Sequence, residues 1–136
     1  MKTSSYQNKS SRNGVSSQEL ITECKTKLLR MKEDILNRVR AAKFEFDSID
    51  RAGGDEMDLN VSQMQENSFL ANQQRMREQL VEIEFALARI ERGTFGICEE
   101  TEEPIEVERL LALPWTRLSI EGAEIRESQK RRFAAP

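Results

Sequence analysis

Carboxylates gather around a pair of glycines near the middle of the chain. Residues 49–60 read IDRAGGDEMDLN, and five acids flank Gly53-Gly54: Asp47, Asp50, Asp55, Glu56 and Asp58. Paired carboxylates can act as general acid and base in a hydrolase, which needs them in a concave, partly desolvated pocket. A turn between helices is convex and wet. Acids there suit helix capping and solubility, or delivery into another protein's site, where they meet a metal or basic groups.

A second candidate site is the sequence FGICEET at residues 95–101. It has the frame of a zinc knuckle, aromatic-Gly-x-Cys-x-x-Cys, with Thr101 in place of the second cysteine. Ser119-x-x-Gly122 stands where a second Cys-x-x-Cys would stand. A structural zinc site takes four ligands, usually thiolate or imidazole. Because the chain has two cysteines, Cys24 and Cys98, and no histidine, we expect neither zinc nor another cofactor.

Composition limits the class of protein. The 136 residues are 33% charged and 38% hydrophobic, which suits long helices that bury one narrow stripe. The net charge of −3 argues against binding to nucleic-acid phosphates, so no direct sequence-specific DNA binding is expected. The sequence has no apolar run of membrane-spanning length and no apolar signal core. Two cysteines in different contexts disfavour a disulfide, and we expect a cytoplasmic protein.

Two stretches with heptad-like spacing position the acids. A capping box of Ser16 and Glu19 predicts that the first helix begins near Ser17. The second helix should end at Gly93, and the acids that follow the glycine pair suit its N-terminus, where the helix dipole favours negative charge. The predicted first seam is Ile21, Cys24, Leu28, Met31, Ile35, Ala42 and Ile49, with Cys24 acting as a small buried hydrophobe. The predicted second seam is Phe69, Gln73, Met76, Leu80, Ile83, Leu87 and Ile90.

The predicted fold is therefore mainly α. A long antiparallel coiled-coil hairpin spans residues 17–92, with its tip near 50–60. Residues 1–16 form a polar, mildly basic arm that we expect to be disordered. Residues 93–136 form a small, degenerate zinc-finger-like globule, irregular except for a C-terminal helix over roughly 121–131. Without metal, its core should come from apolar side chains: Phe95, Ile97, Ile105, Leu110, Leu113, Trp115, Leu118, Ile120 and Ile125.

Residues 93–127, GTFGICEETEEPIEVERLLALPWTRLSIEGAEIRE, carry a family resemblance. They are similar to the DksA/TraR family of RNA polymerase-binding transcription factors, and the likeness covers about residues 17–131. The chain keeps Gly-x-Cys, Ile105, the pattern Arg-Leu-x-Ala-x-Pro at 109–114 and Ala-Glu-Ile-Arg at 123–126. Thr101, Ser119 and Gly122 replace three of the family's four zinc cysteines.

The resemblance implies a non-enzymatic protein that binds bacterial RNA polymerase near its secondary channel. The hairpin tip would point toward the active site and modulate initiation. The family's tip motif is Asp-x-x-Asp-x-Ala. Residues 47–52 match its letters, whereas residues 55–60 end in Asn60 instead of alanine. The family places the second Asp about 40 residues before the first zinc-site cysteine. Asp58 lies 40 residues before Cys98 and Asp50 lies 48 before it, so Asp55 and Asp58 are the predicted tip acids.

Family members that respond to the alarmone guanosine tetraphosphate use basic residues near the hairpin base and globule. Glu82, Leu113 and Ala123 occupy such positions here, which disfavours that response. The alternative function is a structural or adaptor hairpin that self-associates. Self-association would require a strong apolar stripe on the outer face, where Lys, Arg, Glu and Gln predominate. Hydrolysis by the apex acids ranks third.

Overall fold

The computed structural model describes residues 17–52 and 59–134, which are mainly helical. The four helices are α1 (Ser17–Ala52), α2 (Leu59–Arg92), α3 (Val107–Ala112) and α4 (Ile120–Ala134). Within the described ranges the only extended pairing is an isolated antiparallel bridge between Ile97 and Pro104. The predicted mainly α fold is confirmed. No helix in these ranges has the length and apolar character needed to cross a bilayer.

The chain divides into two compact units. Unit 1 contains the start of α1 as far as Leu29, the end of α2 from Glu84, and everything that follows. Unit 2 is Arg30–Ile83, which comprises the remaining parts of both long helices.

The buried stripe of α1 follows the predicted periodicity in part, since the predicted seam residues Met31 and Ala42 are only partly buried. Leu20, Cys24, Leu28 and Ile35 are buried. The first seam residue is therefore Leu20 rather than Ile21, because Leu20 packs into the cluster formed with the C-terminal region. The predicted burial of Ile49 is wrong, since its side chain is 41% exposed.

The buried stripe of α2 contains Gln73, Met76, Ile83 and Ala86. The first three were predicted, and Ala86 was missed because alanine carries little signal in a hydrophobic pattern. Four other predicted seam residues are only partly buried: Phe69, Leu80, Leu87 and Ile90.

The end of α2 confirms the predicted glycine stop. Gly93 has φ +76°, in the left-handed region that glycine adopts without a steric cost. Its N–H donates to the Ile90 carbonyl at 3.2 Å, and the Thr94 N–H donates to the Arg89 carbonyl at 2.9 Å. These two bonds form a Schellman motif, which satisfies carbonyls left without partners at the helix end.

Three predictions lie outside the described residues. They are the disordered arm at 1–16, the turn at Gly53-Gly54 and the conformation of the acids at 55–58. The described helices end at Ala52 and resume at Leu59, on either side of the glycine pair. The proposed domain boundaries stay predictions.

The C-terminal region contains more helix than its sequence predicts. The six-residue α3 lies in a stretch that the sequence predicts to be irregular. Helix α4 begins one residue earlier and ends three residues later than predicted.

A buried cluster joins this region to α1. Its members are Leu20, Cys24, Cys98, Ile105 and Leu110, and four partly buried residues pack against them: Phe95, Val107, Leu111 and Leu118. The predicted core role of Ile120 is wrong, because this first residue of α4 is 52% exposed.

The buried stripe of α1 predicts that two neighbouring leucines contribute very differently to stability. Leu28 is fully buried, whereas Leu29 is 48% exposed. Leu28→Ala should lower the free energy of unfolding by about 2–5 kcal/mol, because it removes buried methyl groups and leaves a cavity. Leu29→Ala is the control and should cost much less. Denaturant unfolding followed by circular dichroism measures both, and equal losses would contradict this assignment of the seam.

Candidate functional site

A tight turn surrounds Cys98. The Cys98 N–H donates to the Glu103 carbonyl at 2.8 Å, and the Glu102 N–H donates to the Cys98 carbonyl at 2.9 Å. Glu102 has φ +61° and Gly96 has φ +87°, so two residues in left-handed conformation fold the chain back on itself. This turn holds the Cys98 side chain in the interior, where it is 1% exposed.

A second turn leads into α4. The Ser119 hydroxyl accepts a hydrogen bond from the Gly122 N–H at 3.0 Å. The Glu106 carboxylate accepts from the Ile120 N–H at 3.1 Å. These acceptors satisfy backbone donors that every helix leaves open at its N-terminus. The Glu99 N–H donates to the Arg117 carbonyl at 2.9 Å, which ties the two turns together.

The two turns bring Cys98, Thr101, Ser119 and Gly122 to one point. Gly122 is buried, and a Cβ added to it would collide with the Cys98 sulfur. The same Cβ would lie 3.3 Å from the Ser119 hydroxyl. A larger residue at this position would force the Cys98 side chain to move, because the sulfur fills the space beside Gly122.

The sulfur of Cys98 is surrounded by hydrogen-bond donors. Burial alone would raise the pKa of this thiol, but hydrogen bonds from the side chains and backbones of Ser119 and Thr101 outweigh it and lower the pKa to about 6. Each hydroxyl also accepts from the backbone, Ser119 from Gly122 and Thr101 from the Glu103 N–H at 3.3 Å. A hydroxyl that accepts in this way can turn its own proton toward the sulfur. The arrangement favours a thiolate at neutral pH.

The donor set does not fit a structural zinc ion. Cys98 supplies one thiolate, Thr101 and Ser119 supply neutral hydroxyls, and Gly122 supplies no ligand, whereas structural zinc takes four thiolate or imidazole ligands. Across residues 17–52 and 59–134, no three His, Cys, Asp or Glu residues cluster in a way that could hold a metal ion.

The acids of the Cys98 turn have partners that the sequence analysis missed. Arg126 of α4 pairs with Glu100 at 3.1 Å and with Glu99 at 3.4 Å. Glu106 caps α4, as described above. The sequence shows that arginines follow these acids, but it does not show which residues pair. The pairing depends on how α4 packs against the Cys98 turn.

Several donors of unit 1 bind backbone carbonyls of α3 and of the turn that follows it. Lys27 donates to the Leu111 carbonyl at 2.9 Å, and Arg109 donates to the Leu118 carbonyl at 2.8 Å. Arg89 donates to the Trp115 carbonyl at 3.2 Å. The Cys24 thiol donates to the Leu110 carbonyl at 3.6 Å, and burial raises its pKa to about 11. Cys24 is thus the inert, buried small residue that the seam predicts.

The predicted tip lies mostly beyond the described residues. Asp55 and Asp58 fall in the segment that is not described, and Asn60 is exposed in the first turn of α2. The alternative acids, Asp47 and Asp50, belong to α1. The residues at the positions that the family resemblance compares with alarmone-binding cations are partly buried: Glu82, Leu113 and Ala123.

Comparison with known proteins places these features in context. Residues 93–128 match the family described as prokaryotic dksA/traR C4-type zinc finger. A protein of Caulobacter vibrioides named RNA polymerase-binding transcription factor DksA is 36% identical over 107 residues, which cover 79% of this chain and 75% of that protein. General stress protein 16O of Bacillus subtilis is 44% identical over 46 residues, which are 34% of this chain and 28% of that protein.

A solved structure extends the likeness to the fold. The structure of transcription factor DksA2 from Pseudomonas aeruginosa superimposes with a TM-score of 0.78 at 32% identity. The match covers 85% of this chain and 88% of that one, so it includes the coiled-coil hairpin as well as the C-terminal region.

The Cys98 environment predicts a distinctive dependence of stability on pH. The pKa of Cys98 is about 6 in the folded chain and 9.0 for an unperturbed thiol, so the unfolded chain binds more protons between these values. The free energy of unfolding should therefore rise with pH from 6 to 9, and this stabilisation should be lost as the pH falls through 6. The chain has no histidine, the side chain that ordinarily titrates in this range.

Denaturant unfolding of the intact chain at several pH values from 6 to 8.5 measures this slope. Cys98→Ser should flatten it, because a hydroxyl does not ionise there. Cys24→Ala is the control and should keep the slope, since the pKa of Cys24 lies outside the range. A slope that survives in Cys98→Ser would show that another group is responsible.

Proposed function

The chain belongs to the DksA/TraR family, and we propose that it is a transcription regulator that binds bacterial RNA polymerase. The observation that carries this proposal is the extent of the likeness. The Caulobacter relative named for polymerase binding matches 79% of this chain, and the superposition with DksA2 covers 85% of it. The match therefore includes the hairpin that would engage the polymerase and is not confined to the knuckle.

The hairpin enters the secondary channel of the polymerase, and its tip acts near the active centre. Asp58 is the most important tip residue and Asp55 the next. Carboxylates at that place can interact with a metal-bound centre or its mobile loops through charge and charge-assisted hydrogen bonds. Asn60 stands where the family has alanine. Its exposed side chain is larger and more polar, so it changes how the tip fits.

The protein acts by contact with the polymerase and not as an enzyme. Its net charge of −3 disfavours a direct grip on DNA phosphates. Because Glu82, Leu113 and Ala123 supply no cation for the phosphates of an alarmone, its effect on transcription does not depend on guanosine tetraphosphate.

The C-terminal globule works without zinc. The support for this proposal is the donor set around Cys98, which offers a single thiolate, together with the contacts that can replace a metal. Those contacts are the hydrogen bonds to the Cys98 sulfur, the buried cluster of Leu20, Ile105 and Leu110, and the bonds from Lys27 and Arg89 to the carbonyls of Leu111 and Trp115. A family member built this way keeps its fold when zinc is scarce.

One observation favours the alternative function, a hairpin that self-associates. Leu59, Leu70 and Val81 are 79%, 56% and 49% exposed. They recur every eleven residues, about three helical turns, so they share one face of α2. Eleven-residue steps separate these side chains, so they are isolated apolar groups, and the lack of a strong apolar stripe on the outer face stays a prediction. The same face could serve a second copy of the chain or the polymerase.

Charge removal at the tip tests the leading proposal. Asp58→Asn keeps the shape of the side chain and removes its charge. Binding to purified RNA polymerase should survive, and the effect on initiation in a reconstituted transcription assay should fall strongly. Asp50→Asn is the matched control and should behave as the unmodified chain.

The reverse pattern, an inactive Asp50→Asn beside a fully active Asp58→Asn, would move the tip motif to residues 47–52. A chain that sediments as a stable dimer and binds no polymerase would favour the self-associating alternative.

Metal analysis tests the zinc-free globule. We expect purified protein to hold far less than one zinc per chain and to melt at the same temperature with and without a strong chelator. In a four-cysteine relative a structural zinc supplies on the order of 10 kcal/mol or more, so a chelator should destabilise that control. Stoichiometric zinc, or a chelator-sensitive melt, would refute the proposal. An uncooperative melt would indicate a loose globule.

A further inference from the structure

The strongest unexplained feature outside the knuckle is Gln73. It lies in the buried stripe of α2 and is only 9% exposed. Its amide nitrogen is buried and has no hydrogen-bond partner within the described part of the protein. A buried donor without a partner destabilises its surroundings, because the hydrogen bonds it made to water are lost and not replaced.

A stacked aromatic pair in unit 2 indicates which residue of α1 lies opposite Gln73. The rings of Phe46 and Phe69 stack with centroids 4.3 Å apart and planes 10° from parallel. In an antiparallel helix pair, four residues onward along α2 corresponds to four residues back along α1. Gln73 therefore lies level with Ala42, so this layer of the seam combines a polar residue with a small one.

Burial differs on the two sides of this layer. On one side, unit 2 contains the buried side chains of Ile35, Met76 and Ile83. On the other side, which leads to the connection at 53–58, none of the side chains described at residues 43–49 and 59–72 is buried. The stacked rings of Phe46 and Phe69 lie on this side.

We propose that the Gln73–Ala42 layer is a built-in weak point at which the hairpin opens locally. From this layer toward the connection, α1 and α2 separate and rejoin while the rest of unit 2 stays packed. The far end of the hairpin, residues 43–52 and 59–72, can then change its path against a partner's surface without loss of the fold. This property belongs to the hairpin itself and holds whether or not the partner is RNA polymerase.

Hydrogen exchange of the intact chain tests the proposal. In the unmodified chain, amide protection should step down where α2 passes Gln73 and α1 passes Ala42. Gln73→Leu replaces the unpartnered amide with an apolar group of similar size. It should slow hydrogen exchange in the adjoining turns, residues 42–46 and 69–73, by about tenfold or more. Removing the unpartnered donor stabilises the closed layer and so raises the free energy of local opening.

Gln79→Leu is the control, because the same chemical change falls on an exposed position of α2 and should leave the step in place. Gln73→Met provides a second variant with a more flexible side chain and should act like Gln73→Leu. The proposal is overturned if protection is uniform on both sides of Gln73 in the unmodified chain. It is also overturned if both Gln73 variants leave the step unchanged, or slow exchange equally throughout the chain.

Discussion

The sulfur of Cys98 is the constraint on which the C-terminal region depends. It packs so closely against Gly122 that a Cβ there would collide with it, and it accepts hydrogen bonds from Ser119 and Thr101. The turn around Cys98 and the turn into α4 are thereby held together at the place where relatives of the C4 type have zinc. The pairs between Arg126 and the acids Glu99 and Glu100 add a second tie across the same two turns.

The contacts around Cys98 also connect the C-terminal region to the first long helix. Cys98 belongs to the same buried cluster as Leu20 and Cys24 of α1, so the globule packs on the start of the hairpin. Leu28 and Ile83 are fully buried in their respective units. Beyond the Gln73–Ala42 layer, toward the connection at 53–58, none of the described side chains is buried. Under the proposed local opening, residues 43–52 and 59–72 are the part of the hairpin that adapts to a partner.

Much of this architecture could be predicted from sequence, because helical periodicity and a glycine stop are local signals. Cys24, Leu28, Met76 and Gly93 fell where the pattern placed them. Leu20 was missed in favour of Ile21, since the choice between adjacent apolar residues depends on what packs against them from Leu110 and Cys98. The six-residue α3 has too few residues to show a period. The donors around Cys98 could not be predicted. They come from two turns that are distant in sequence, and only the folded structure brings these turns together.

We propose that the hairpin of this protein enters the secondary channel of RNA polymerase. A cryo-electron microscopy structure of the chain bound to core polymerase tests this proposal. We expect two helices inside the channel, with Asp55 and Asp58 nearest the active centre and the globule outside. A complex in which α1 and α2 lie outside the channel, or in which the segment at 55–58 points away from the active centre, would contradict it.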